Sequence, residues 1–214
     1  RYGTDGGITI DPTIGIKQSA GDTYVDVGVN RIFVNGTITQ DDGAGNYYGG
    51  NVTLVAADIV LNQDITTGTD LDGNGGRISL IPAYKYTNIT VTGYGVDGSA
   101  LTDPELGCQW VFDMNNLARM KTDGEIVIGE EGHYGDLRFD GQGSDVDLAG
   151  NVKAWTFYGG DTYFASNTKF DNTDTLNLHA TGAINYDDVT EATVEGGKLI
   201  SESVGGYNLK TKFA

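Results

Sequence analysis

Arg31-Ile-Phe-Val-Asn-Gly-Thr-Ile-Thr39, followed after a polar stretch by Gly49-Gly-Asn-Val-Thr-Leu-Val-Ala56, is repeated in outline further along the chain. The second copy runs Asp58-Ile-Val-Leu-Asn-Gln-Asp-Ile-Thr66 and then Gly75-Gly-Arg-Ile-Ser-Leu-Ile-Pro82. Ile32 aligns with Ile59, Asn35 with Asn62, Ile38 with Ile65 and Thr39 with Thr66, and the Gly-Gly pairs lie 26 positions apart. A third start stands at Asn88-Ile-Thr-Val-Thr-Gly93. A repeat of about 26–30 residues points to a stacked array rather than to a single irregular core.

Each copy holds short runs of period-two alternation. Val52 and Leu54, like Ile78 and Leu80, face one way, while Thr53 and Ser79 face the other. So short a strand cannot bury its apolar side alone. Stacking copies in register solves this, because the inward residues of successive coils then form continuous apolar ladders. The expected fold is therefore all-β, a parallel β-helix or β-solenoid with coils of about 26–30 residues, about seven or eight of them in the chain. The alternative is a β-sandwich, which also uses short strands separated by frequent turns.

Composition agrees with an all-β reading. Of 30 acidic residues 23 are Asp and 7 are Glu, and Asp favours turns where Glu favours helix interiors. The 33 glycines supply corners, and only 3 residues are proline. Against 13 basic residues the acids leave a formal charge of -17, which repels nucleic acid and anionic lipid. No apolar run approaches the roughly 18 residues of a membrane span. Cys108 is the single cysteine, so an intramolecular disulfide and a cysteine-based zinc site are excluded. The chain opens at Arg1 and has no secretory apolar segment, which points to a processed product or a segment of a larger protein. No linker rich in Pro, Ser or charge divides it, so residues 1–214 are expected to form a single β-solenoid domain.

Further alternating runs follow at Glu125-Ile-Val-Ile-Gly129, Asp136-Leu-Arg-Phe-Asp140, Asp145-Val-Asp-Leu-Ala149, Thr175-Leu-Asn-Leu-His179 and Ala183-Ile-Asn-Tyr186. One segment breaks the pattern. Asp103-Pro-Glu105 has the form of a helix start, and Leu106, Trp110, Met114 and Leu117 would then share a face. Two more strands, around 109–113 and 125–128 and joined by a turn through Asn115-Asn116, fit the same residues.

The cadence over 49–65, together with Asn116-Leu-Ala-Arg-Met-Lys-Thr-Asp-Gly-Glu-Ile-Val-Ile-Gly129 and Gly135-Asp-Leu-Arg-Phe139, resembles the haemagglutinin-repeat proteins typified by filamentous haemagglutinin. The second stretch is similar to that family's recurring "Leu-x-Arg-Ile-x-Thr-Gly-x-Leu-x-Ile-Gly … Gly-x-Ile-x-Val" module. The resemblance implies a right-handed parallel β-helix, secreted and displayed on a cell surface as an adhesin or fibre. It also implies that any helix in 103–124 shrinks to one turn before a strand. The chain is much shorter than is common in that family.

Several constellations invite chemistry. Asp70-Leu-Asp-Gly-Asn-Gly75 fits the first half of a calcium loop, with Asp70, Asp72 and Asn74 as oxygen donors. The twelfth position of that template is Ile81, where a bidentate Glu is needed, so an EF-hand is rejected. A Gly/Asp corner between coils reads the same residues without metal, and Ca2+ is the only cofactor expected. The carboxylate pairs Asp41/Asp42, Glu130/Glu131, Asp145/Asp147 and Asp187/Asp188 raise glycoside chemistry, but only Asp145 and Asp147 share a strand face. None has a basic residue placed nearby in sequence, and solvated charge accounts for them. His133 and His179 stand in unrelated contexts and lack a Ser or Cys partner in an activation motif. Tyr47, Tyr48, Tyr84 and Tyr86 are clustered aromatics suited to stacking on glycans or to packing ladders. Sequons occur at Asn35, Asn51 and Asn88.

The expected function is that of a non-enzymatic extracellular structural protein, a self-assembling subunit or stalk of a cell-surface fibre or sheath. Its partner is a second copy, docked through the strand-like, basic tail containing Tyr207, Leu209, Lys210, Lys212 and Phe213. An adhesin module that binds glycans or other surface proteins is the first alternative, and a polysaccharide-active β-helix enzyme the second.

Overall fold

A computed structural model describes residues 7–11, 13, 15–18, 21–40, 50–68, 75–93, 109–148, 152–186 and 192–213. The chain is a β-solenoid of about six turns, nearly all parallel strand. It divides into two compact units, one of residues 1–84, 119–129 and 151–154, the other of residues 85–118, 130–150 and 155–214.

In the first unit three parallel sheets run side by side. One contains β1 (Gly7–Ile10), β4 (Arg31–Val34) and β7 (Asp58–Leu61). The next contains β2 (Ile16–Gln18), β5 (Ile38–Gln40), β8 (Ile65–Thr66) and β12 (Met120–Lys121). The third contains β3 (Thr23–Asp26), β6 (Val52–Ala56), β9 (Ile78–Pro82) and β13 (Glu125–Ile128). Successive strands enter successive sheets, so each circuit of the chain adds one strand to every face. The repeat alignment is the physical register: Ile32 pairs with Ile59, Ile38 with Ile65, Thr39 with Thr66 and Val52 with Ile78. The inward rows Val52–Ile78–Ile126 and Leu54–Leu80–Ile128 are buried, as the alternation requires. These parallel ladders exclude the antiparallel β-sandwich.

The second unit repeats the plan. One sheet runs β11 (Gln109–Phe112), β10 (Asn88–Val91), β14 (Leu137–Phe139), β17 (Thr162–Phe164), β20 (Ile184–Tyr186) and β23 (Tyr207–Asn208). Another holds β15 (Val146–Leu148), β18 (Thr168–Phe170), β21 (Thr193–Gly196) and β24 (Lys210–Phe213). β16 (Ala154–Gly159), β19 (Thr175–Ala180) and β22 (Lys198–Ser203) form the last. Aromatic side chains fill this interior: Phe139 stacks on Phe164 at 4.7 Å and meets Phe157 edge-on at 5.1 Å.

The helix start expected at Asp103-Pro-Glu105 lies outside the described residues, and from Gln109 on the segment is two strands joined by a single helical turn. α1 (Met114–Leu117) is capped by Asp113, whose side chain accepts from Asn116 N–H while the Asn116 side chain reaches back to Asp113 N–H. β11 then pairs with β10 on the side opposite β14, so this strand flanks its predecessor instead of following it. That detour lengthens one coil. The Asp136 N–H meets the Asn88 side chain 48 residues back, where the comparable spacings elsewhere are 29, 26, 25 and 22. The detour absorbs the residues of nearly two ordinary coils into one, so the coil number is about six and not the expected seven or eight.

The corners are joined by Asx side chains. Asp22 accepts the N–H of Asn51, and Asn51 accepts the N–H of Arg77, each at 2.8 Å. Asn88, Asp136 and Asp161 do the same for the N–H groups of Asp136, Asp161 and Ala183. At a corner the backbone leaves the sheet ladder and an N–H needs another acceptor. A short carboxylate or amide one coil back supplies it, which Glu is too long to do in the same geometry. Asp22, Asp136 and Asp161 thus owe their places to the coil.

Candidate functional site

Two surfaces of the second unit collect groups that the fold itself does not require. The first is its last coil. β22, β23 and β24 each pair on one side only, with β19, β20 and β21. The inner strand β19 alternates half-buried and buried residues, whereas no residue of β22 is buried. Ile200, Val204 and Tyr207 are 38 %, 86 % and 54 % exposed. In the sequence-derived tail set, Leu209 is half-buried, Lys210 lies over the Tyr186 ring at 5.0 Å, and Lys212 pairs with Glu195 at 3.6 Å. Phe213 ends β24 in register with Gly196.

The second surface is a groove of about 610 Å3. Its wall is a row that points outward from three successive coils: Tyr158 on β16, His179 on β19 and Glu202 on β22. The Tyr158 and His179 rings stack at 4.7 Å, one strand spacing, and His179 Nδ1 lies 3.2 Å from Glu202 Oε2. The opposite wall is the corner loop with Glu131, Gly132 and His133. Gly132 holds that loop in the left-handed region, at a φ of 76°. His133 is 1 % exposed, and its Nε2 sits 2.8 Å from the Thr87 carbonyl. Burial lowers its pKa, so the ring is neutral at pH 7, donates from Nε2 and keeps Nδ1 as an acceptor. Among the described residues Nδ1 has no hydrogen-bond partner. Beside the loop, Tyr134 stacks on Tyr86 at 5.5 Å, and the two side chains stand 53 % and 76 % exposed.

Sequence had treated His133 and His179 as unrelated, yet they line one groove because they lie two coils apart. Tyr134, Tyr158 and Glu202 were not singled out at all, since only the coil register brings them to these neighbours. Tyr86 is exposed as its glycan reading needs, while Tyr84 is half-buried. Tyr47, Tyr48, Asp70, Asp72, Asn74, Cys108 and the pairs Asp41/Asp42 and Asp187/Asp188 lie outside the described residues. Asn51 and Asn88 spend their side-chain oxygens on the corner ladders, and Asn35 accepts from the Asn62 amide at 2.7 Å.

The reading of the carboxylate pairs is corrected at two places, Asp145 and Glu130. Asp145 does have a basic partner: Lys169, in register with Asp147 on the adjoining strand, reaches across to it with its ammonium, and the Lys169 and Asn167 hydrogen bonds hold its carboxyl below the usual range. Sequence proximity could not reveal a neighbour one coil away. Glu130 faces Lys85 at 3.7 Å, while Glu131 is exposed on the groove. Among the described residues no three His, Cys, Asp or Glu side chains converge as metal ligands, and no helix is long and apolar enough to cross a membrane. Comparison with protein-family models, with curated proteins and with solved structures gives no match.

Proposed function

We propose that this chain is a non-enzymatic structural unit of an extracellular fibre or sheath, which grows by adding the first coil of one copy to the last coil of another. The observation that carries this reading is the open edge of β22–β24, regular in pairing yet without a buried residue in β22. Unpaired edges recruit strands, and β22, six residues long, is the part of this edge that is not shortened. At the other side of the contact, β1, β2 and β3 are likewise paired on one side, with Ile8 44 % and Tyr24 65 % exposed.

Setting the inward Leu199 on the inward Thr23 of the next copy places Ile200 on Tyr24 and Glu202 against Asp26. The first juxtaposition buries two exposed apolar side chains, whereas the second opposes like charges. Growth in this register is therefore promoted by acid, salt or a divalent cation such as Ca2+. Because the two faces differ, the contact is heterologous and does not close on itself, which gives filaments and not dimers. Deleting residues 206–214, which removes β23 and β24, tests the reading: filaments seen by electron microscopy must disappear. Unchanged filaments would refute docking through this coil.

A further inference from the structure

We infer that His179 makes growth at the last coil sensitive to acid: once protonated, it neutralises Glu202 at the open edge and so removes the repulsion that Glu202 meets from Asp26 of the next copy. The inference rests on the docking register proposed above and adds the group that controls it. Glu202 stands on β22 with its side chain 76 % exposed. Behind it, in register on β19, is His179, with Nδ1 3.2 Å from Glu202 Oε2. Tyr158 on β16 stacks on the imidazole at 4.7 Å and holds its plane. Across the sheet the row therefore runs aromatic ring, imidazole, carboxylate, and then the exposed Asp26 carboxylate of the incoming copy.

The groups that face His179 are the Glu202 carboxylate, the Tyr158 ring and, across the groove, Glu131 and the buried, neutral His133. None of these carries a positive charge at pH 7, so a proton on the imidazole is what answers the two carboxylates. Imidazole is the side chain that changes its charge between about pH 5 and 8. On the acid side of that range Glu202 meets Asp26 as half of an ion pair, and on the basic side as a carboxylate with no cation against it. The docked edge thus holds the proton more tightly than the free edge, and linkage makes growth easier as pH falls. Asp174, which titrates at about 6, is 5 % exposed and so is buried before any copy docks.

The test measures the critical concentration for filament formation at pH 6 and pH 8, in chelator and at constant ionic strength. It compares the parent chain with His179→Gln, Glu202→Gln and Asp174→Asn, each checked for folding by circular dichroism. The parent is expected to assemble at about threefold lower concentration at pH 6 than at pH 8, the size of an exposed charge pair. His179→Gln should give one value at both. Glu202→Gln, which decides the matter if His179→Gln does not fold, should assemble at either pH as readily as the parent does at pH 6. Asp174→Asn should keep the parent's dependence. Equal values for the parent at the two pH values, or a dependence that survives His179→Gln or Glu202→Gln, would overturn this inference and leave the growth reading standing. A parent that forms no filaments at pH 6 in chelator overturns it as well, and if Ca2+ then restores none, the growth reading falls with it.

Discussion

Asp161 accepts the backbone N–H of Ala183 at 2.7 Å on Oδ1 while its own N–H is accepted by Asp136 at 3.1 Å, so one residue ties three successive coils together. The bond network sits at a corner, where the strand ladders cannot reach.

Asp161→Ala should therefore leave the Ala183 N–H without its acceptor in a half-buried corner, at a cost of about 1–3 kcal/mol. In a chain of this size that lowers the thermal midpoint by roughly 2–4 °C per kcal/mol. Asp161→Asn keeps the accepting oxygen and should restore most of the loss. Scanning calorimetry of the two variants checks both statements.

Asp174 predicts a pH dependence. Burial and the neighbouring Asp171 raise its carboxyl to about 6, and one of its oxygens, Oδ2, has no partner. The folded state thus holds the proton more tightly than the unfolded chain, whose carboxyl titrates near 3.8. Above pH 6 the ionised group costs stability in full, and the cost is relieved as pH falls from about 6 towards 3.8. Asp174→Asn should raise the melting midpoint at pH 7.5 by about 2–4 °C, for about 1 kcal/mol after solvent screening. At pH 3.5 the difference between variant and parent should vanish.

Phe139 is fully buried, stacked on Phe164 of the next coil and edge-on to Phe157 of a neighbouring sheet. Phe139→Ala removes both ring contacts and should cost about 3–5 kcal/mol. Phe139→Leu should cost less, because it retains much of the volume. Denaturant unfolding gives both values.

Gly135 packs its α-carbon against the Thr87 carbonyl of the adjoining coil, closer than any Cβ tolerates. Gly135→Ala must push that corner apart and should expose the His133 loop, which borders the same contact. Faster hydrogen exchange at the N–H groups of residues 133–135 is the expected signature, since Tyr134 and Gly135 both bond to the Lys85 carbonyl.

How far the sequence was legible follows from what a repeat records. Ile32 and Ile59, or Val52 and Ile78, occupy equivalent positions, so aligning the text reproduced the register. The one-turn helix was ambiguous because Trp110, Met114 and Leu117 satisfy a helical face and also a strand, turn and strand. The 48-residue coil was hidden for a different reason: β11 returns to the flank of β10, and nothing local marks a strand that reverses its order. The groove was less legible still. Tyr158, His179 and Glu202 occupy ordinary alternating positions, and their meeting depends on coils of unequal length lining up across the sheet.

The central claim is that the open edge of the last coil drives growth. Ile200→Lys places a charge in the middle of that edge without touching a buried residue. Negative-stain microscopy of the parent chain and of Ile200→Lys, each with Ca2+ and with chelator, tests it most directly. The account predicts filaments for the parent chain, more abundant with Ca2+, and monodisperse particles for the variant in both conditions. Filaments of equal number and length for the two chains, or none for the parent with Ca2+ present, would contradict it.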